Sequence, residues 1–146
     1  RQAIACDMRI ATKDTKYGIP AAKLGLAYGF DNLRQLVELV GPSNAKRILF
    51  TGDLIDADDA HRIGLVDELC ALDELEDKVL SIADKISANA PLTVLASKET
   101  VKHVLRPEIR DHQKLKEMAK ICFDSDDYRE GREAFMEKRK PEFKGH

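Results

Sequence analysis

The chain has 146 residues, a length that suits one domain. Hydrophobic residues at 43% and charged residues at 34% describe a soluble globular chain, and a formal net charge of −2 gives no electrostatic reason to hold a polyanion, which argues against nucleic acid as a partner. No stretch approaches the ~20 consecutive apolar residues of a membrane span, and the odd, widely spaced cysteines Cys6, Cys70 and Cys122 argue against a disulfide framework and fit a reducing compartment.

In chain order, the first residues, "QAIACD" (2–7), read as the inside of an element, so the sequence is expected to be part of a longer chain. "MRIAT" (8–12) alternates and predicts a short strand with Met8, Ile10 and Thr12 on one face. "KDTK" (13–16) is a polar turn, and "YGIP" (17–20) predicts a second short strand closed by Pro20, which cannot extend a ladder. From Asp31 the texture becomes helical. Asp31 reads as the N-cap of a helix over 32–40, with Leu33, Leu36, Val37 and Val40 at helical spacing. Gly41-Pro42 stops that helix, Ser43 caps another over 44–50, and "TGD" (51–53) turns. Residues 56–69 predict a short helix ended at Gly64, then a strand at Leu65–Val66. Residues 72–89 carry an apolar stripe of Leu72, Leu75, Val79, Ile82 and Ile86 on one helix face. Helices over about 91–105, 108–123 and 126–138 complete the chain. A strand-bearing first third is thus followed by helices, an α/β (α+β) pattern.

Few residues offer chemistry. His61, His103, His112 and His146 are scattered, so no metal pattern is present. Cys6 and Cys122 read as small core residues. Between Ile19 and Gly25 the only side chain able to move a proton is Lys23. Tyr28 and Asp31 sit three apart where a glycine-containing loop enters a helix, and a helix N-terminus favours the charged form of an acid. They read either as a polar pair lining a pocket or as a packed tyrosine and a cap. "MEKRK" (136–140) after Phe135 reads either as a phosphate site or as a solvated helix end.

Five runs, in order, resemble the crotonase superfamily, the enoyl-CoA hydratase/isomerase family. They are "AIACDMRIAT" (3–12), "YGIPAAKLGL" (17–26), "RILFTGDLIDADDAHRIGLVDEL" (47–69), "NAPLTVLASKETV" (89–101) and "DDYREGREAFMEKRKPEF" (126–143). The resemblance implies the C-terminal part of a ClpP/crotonase-like ββα spiral. Residues 1–90 would belong to the spiral core and 91–146 to a helical trimerisation region. It implies acyl-CoA thioesters as substrates, no further cofactor, a homotrimer or dimer of trimers, and a cytoplasmic location, or the mitochondrial matrix in a eukaryote.

The resemblance also implies what is replaced. In such hydratases two glutamates straddle a water and add it across a conjugated double bond. One follows the "FG" of an "FG-x-PE" segment, where "YGIPA" here has Ala21. The other falls six residues before the Asp of "CD", where this chain has Arg1. Both oxyanion-hole amides of the family belong to sequence upstream of Arg1. The expected protein is therefore an acyl-CoA lyase or isomerase rather than a standard hydratase, or else a catalytically silent oligomerisation or acyl-CoA-binding module. Ile19, Pro20 and Ala21 would line the acyl site, Tyr28 and Asp31 would be its catalytic groups, and Phe135 and Lys138 would meet the CoA of a neighbouring subunit, the lysine through phosphate.

Overall fold

The computed structural model describes residues 3–146. The chain packs as two units, one ending at Val79 and the other spanning Leu80–His146.

In the first unit, strand β1 (Ile10–Thr12) pairs in parallel with β2 (Glu68–Cys70), in the register Ile10–Glu68, Ala11–Leu69 and Thr12–Cys70. A parallel pair needs a long crossover, and helices α1 (Phe30–Thr51) and α2 (Ala57–Arg62) supply it. β1 is shorter than expected because Arg9 is committed elsewhere. Its N–H donates to Asp67 Oδ2 at 2.6 Å, and its carbonyl accepts from Asp67 N–H at 2.9 Å. Its guanidinium, with a side chain only 9% exposed, lies 3.0 Å from the Asp67 carboxylate and donates to the carbonyls of Leu65 (3.0 Å) and Cys6 (2.7 Å). The ion pair is thus placed where further hydrogen bonds offset desolvation.

The strand expected at Leu65–Val66 lies three residues later. Both Leu65 and Val66 donate their N–H to Ala60 O (2.9 and 3.2 Å), closing the end of α2, so they enter the core as a turn. The strand expected over 17–20 reduces to one antiparallel bridge, Tyr17 to Ile55, with N–H···O distances of 2.9 and 2.7 Å. Gly18 lets these backbones approach, since a Cβ there would stand 2.9 Å from Asp53 O. After Pro20 the chain winds into a 3-10 turn, Ala22–Leu24.

α1 runs through the expected stop at Gly41-Pro42 with a break rather than an end. Gly41, at φ 74° and ψ 163°, lies in a region open to glycine alone, and Pro42 restarts the helix. Ser43 is therefore inside a helix and does not cap it. Asp31 is not the N-cap either. Gly29 takes that place with an extended ψ of 162°, and its carbonyl accepts from Asn32 and Leu33, which leaves Asp31 in the first turn. Leu36, Val40, Ala45 and Ile48 of α1 pack with Ala60, Ile63, Leu65 and Val66 as the core. Burying a side chain such as Leu36 stabilises by about 1.5–3 kcal/mol. Cys70 is buried in β2, but Cys6 is exposed, contrary to its reading as a core residue.

The amphipathic run expected over 72–89 divides into a 3-10 turn, Leu72–Glu74, and α3 (Leu75–Ser87), with no residue of α3 buried. In the second unit follow α4 (Pro91–Leu105), α5 (His112–Asp124) and α6 (Asp126–Glu137). Pro91 opens α4, where a missing N–H costs nothing. His103 is buried at the end of α4. Its Nδ1 accepts from Asp111 N–H at 3.2 Å, and its carbonyl accepts from Arg110 Nε at 3.3 Å, which fixes the turn into α5. Asp111 and Ser125 cap α5 and α6, accepting from Lys114 N–H and Tyr128 N–H. Among the described residues no helix is long and apolar enough to cross a membrane, and no group of His, Cys, Asp and Glu could hold a metal ion.

Candidate active site

The first unit contains a cavity of about 480 Å³ between the β1 edge, the 17–20 segment and the first turns of α1. Its wall is mostly apolar: Met8, Ile10, Ile19, Pro20, Leu33 and Leu36 contribute. Tyr17 lies there too. Burial pushes its phenol above the ordinary tyrosine range, against a weaker opposing effect of its hydrogen bond to Thr15. Tyr28, Asn32 and Gln35 bring neutral polar groups to the same wall. No Asp or Glu is among the described lining residues.

Three of the residues predicted for this site, Ile19, Pro20 and Tyr28, therefore meet at one concavity. Ala21 is 6% exposed and does not line it; its carbonyl accepts from Leu24 and Leu26 N–H in the 3-10 turn. Asp31 is exposed at the start of α1 and does not line the cavity, so Tyr28 and Asp31 are not brought together there. Arg1, at the other glutamate position, lies outside the described residues. Lys23, the one proton-moving side chain of the 19–25 stretch, is tied up outside the cavity in an ion pair with Asp53 at 2.7 Å.

Reasoning from sequence overlooked Asn32 and Gln35. Both fall on a helix already given an apolar stripe, where polar residues read as the solvated face. The signal was their spacing: 28, 32 and 35 recur at nearly the period that sets Leu36.

Phe135 and Lys138 belong to the second unit. Phe135 is 80% exposed on α6 and contributes to an open apolar groove of about 920 Å³, together with Val101, Phe123, Tyr128, Met136 and Phe143. Lys138 ends α6 in a left-handed conformation (φ 56°, ψ 33°), with its N–H donating to Ala134 O and Phe135 O, and its side chain is exposed. Beyond it the chain folds back on α6. The buried carboxylate of Asp127 accepts from Lys144 N–H (2.7 Å) and Gly145 N–H (2.8 Å). Glu130 accepts from Glu142 N–H (2.8 Å) and takes both guanidinium nitrogens of Arg139, at 2.5 and 2.9 Å. Arg139 first, then the Glu142 N–H, hold the Glu130 carboxyl down to about 2.

Comparison with known proteins shows the family and the fold. A family profile described as Enoyl-CoA hydratase/isomerase fits residues 2–146. A protein of Syntrophomonas wolfei named crotonyl-CoA hydratase is 39% identical over 142 residues, covering 97% of this chain and 55% of its own length. Escherichia coli K12 has a relative named methylmalonyl-CoA decarboxylase, 31% identical over 148 residues, covering 98% and 56%. The crystal structure of an enoyl-CoA hydratase/carnithine racemase from Magnetospirillum magneticum superposes with a TM-score of 0.88 at 32% identity, covering 98% of this chain and 53% of that one. The chain thus spans about half the length of these relatives. Its fold is the crotonase-like α/β fold, as the sequence resemblance implied. With the profile spanning nearly every residue and the fold in agreement, the chain belongs to the enoyl-CoA hydratase/isomerase family.

Proposed function

We propose that the protein binds acyl-CoA thioesters and acts on them as a lyase or isomerase that does not use a pair of glutamates. The observation that carries this reading is Ala21, a buried methyl group where the family's segment has a carboxylate, next to a cavity whose described lining holds no Asp or Glu. Hydration of a double bond needs one group to take a proton from water and another to deliver one to carbon, and a methyl group does neither. The apolar wall of Ile19, Pro20 and Leu33 suits an acyl chain, while Tyr28 presents a phenol that can hold or donate a proton. Asp31, exposed in the first turn of α1, is proposed as the site's acid. In the second unit, Phe135 is proposed to pack on the nucleotide end of CoA and Lys138 to pair with phosphate.

Residues 1–90 are read as the end of the spiral core and 91–146 as the trimerisation region. The assembly is read as a homotrimer or dimer of trimers, with CoA ester as substrate, no added cofactor, and a cytoplasmic or mitochondrial-matrix location. The relative named methylmalonyl-CoA decarboxylase supports a lyase among the candidates. The second reading, a silent oligomerisation or acyl-CoA-binding module, draws on the same lack of carboxylates.

Calorimetric titration with CoA esters, followed by turnover assays on each ester that binds, tests the first reading. Binding with hydration of crotonyl-CoA far below ~10 per second is expected, together with turnover on another ester. Binding without turnover on any ester favours the silent module. Crotonyl-CoA hydration at an ordinary enzymatic rate, or no binding, overturns the proposal.

A further inference from the structure

The polar groups around the first unit's cavity divide into those already engaged within the protein and those left open. Arg9 is the one cationic side chain among the described lining residues, and its charge is met by Asp67 at 3.0 Å while its other nitrogens donate to Leu65 and Cys6 carbonyls. Tyr17 is hydrogen-bonded to Thr15. The side chains of Tyr28, Asn32 and Gln35 have no hydrogen-bond partner among the described residues. Asn32 and Gln35 are half-buried, one turn apart at the start of α1, and Tyr28 stands just before that helix. They open onto a mostly apolar space of about 480 Å³.

Each of the three is neutral, and each both donates and accepts. A carboxylate in this cavity would find donors but no uncommitted cation among the described lining residues, and burying an ionised carboxylate without a counter-charge is disfavoured. A pure hydrocarbon chain would cover the phenol and two amides without satisfying them, which also costs binding. A hydroxyl or carbonyl is the group whose donor and acceptor capacity all three can meet.

We infer that Tyr28, Asn32 and Gln35 are specificity-determining residues that select an acyl chain bearing a neutral hydrogen-bonding group over a hydrocarbon or carboxylate chain of similar length. This rests on the reading of the cavity as an acyl-CoA site. Helix formation does not depend on these side chains, since alanine is the better helix former at 32 and 35. Alanine there removes the polar wall without threatening the fold.

The experiment is calorimetric titration of the intact protein with three probes: 4-hydroxybutyryl-CoA, its isostere pentanoyl-CoA, and succinyl-CoA. The hydroxy ester is expected to bind about 10-fold tighter than pentanoyl-CoA, as one or two net hydrogen bonds would give, and succinyl-CoA weakest. In Asn32→Ala/Gln35→Ala the preference should fall to within about 2-fold, and in Tyr28→Phe to an intermediate value, with melting temperatures unchanged. Equal binding of the first two probes, a preference that survives the double variant, or tightest binding of succinyl-CoA would overturn the inference while leaving acyl-CoA binding intact. Failure of all three esters to bind removes the acyl-CoA reading and this inference with it.

Discussion

In the unit ending at Val79, the polar side chains at its cavity other than Arg9 are neutral, and three of them have no hydrogen-bond partner among the described residues. In the unit Leu80–His146, the buried polar groups are engaged in holding the fold. His103 accepts from Asp111 N–H, Ser125 caps α6, and Asp127 clasps the amides of Lys144 and Gly145. Polar side chains therefore do different work in the two units. Where a carboxylate is buried it is surrounded by N–H donors, and removing it should hurt stability. Where an amide or phenol is open to a cavity, removing it should leave stability alone and change what the protein binds. Deletion experiments in the two units separate these roles.

The largest effect is expected at Asp127. Asp127→Ala leaves the Lys144 and Gly145 N–H groups without their charged acceptor, and hydrogen bonds to charged groups contribute about 1.5–3 kcal/mol each. A loss of about 3 kcal/mol in urea unfolding is expected. Tyr28→Phe or Gln35→Ala should stay within about 0.5 kcal/mol. If the cavity variants prove as costly as Asp127→Ala, the distinction between the units collapses.

Acid should act on a second clamp in the same unit, between Glu130, Arg139 and the Glu142 N–H. The Glu130 carboxyl is held down to about 2 by Arg139 and the Glu142 N–H, against an ordinary value of 4.5. A depressed folded-state value contributes stability that is full above pH ~4.5 and is lost as pH falls from there towards 2. Hydrogen exchange at the Glu142 amide should therefore lose protection across that window, and Glu130→Gln should remove the pH dependence. Protection that persists unchanged at pH 2, or identical profiles in the variant, would contradict the clamp.

Lys138 gives a smaller effect of opposite sign. Its left-handed backbone costs a non-glycine residue about 1–2 kcal/mol, part of which glycine's extra freedom when unfolded offsets. Lys138→Gly should thus raise stability by about 0.5–1 kcal/mol. If the lysine pairs with CoA phosphate, the same variant should weaken CoA ester binding by about 5-fold, the size of an exposed ion pair. A stabilised variant with unchanged affinity would leave Lys138 a helix end and no more.

How far these features could be read in sequence depended on how local their causes are. The C-terminal helices were legible because their turns rest on short-range signals: Pro91 opens α4, and the Asp126–Glu137 helix follows the expected span closely. The break at Gly41-Pro42 was legible, but not that α1 resumes through it, because Val40, Ala45 and Ile48 share one core across the kink. The position of β2 was misread by three residues. It is set by Arg9 and Asp67, 58 positions apart, and by two N–H groups returning to Ala60, neither of which leaves a periodic trace. Of the residues named from sequence for the site, Ile19, Pro20 and Tyr28 line the cavity, whereas Asn32 and Gln35, which line it too, were not named because polar positions on an amphipathic helix ordinarily face water. That a carboxylate is expected at residue 21 comes only from the resemblance, since an alanine in a turn carries no signal of what it replaces.

Asp31 carries a small expected effect on stability and tests the division between architecture and chemistry most directly. It lies in the first turn of α1, and Gly29, not Asp31, caps the helix. Asp31→Asn therefore removes no cap and forfeits only the attraction between a carboxylate and the helix N-terminus, about 0.3–1 kcal/mol at an exposed position. Asp31→Ala should match it within a few tenths of a kcal/mol, since alanine's helix propensity compensates. An N-cap would instead have made the alanine variant clearly worse than the asparagine one. In turnover the two variants should again behave alike if Asp31 is the acid or base of the site. Both should lose ~100-fold or more on any CoA ester the protein converts, because neither side chain can exchange a proton. Thermal melts and initial rates measured on both variants decide the matter. Full turnover in Asp31→Asn would remove Asp31 from the chemistry and leave Tyr28 as the proton-bearing group of the proposed site.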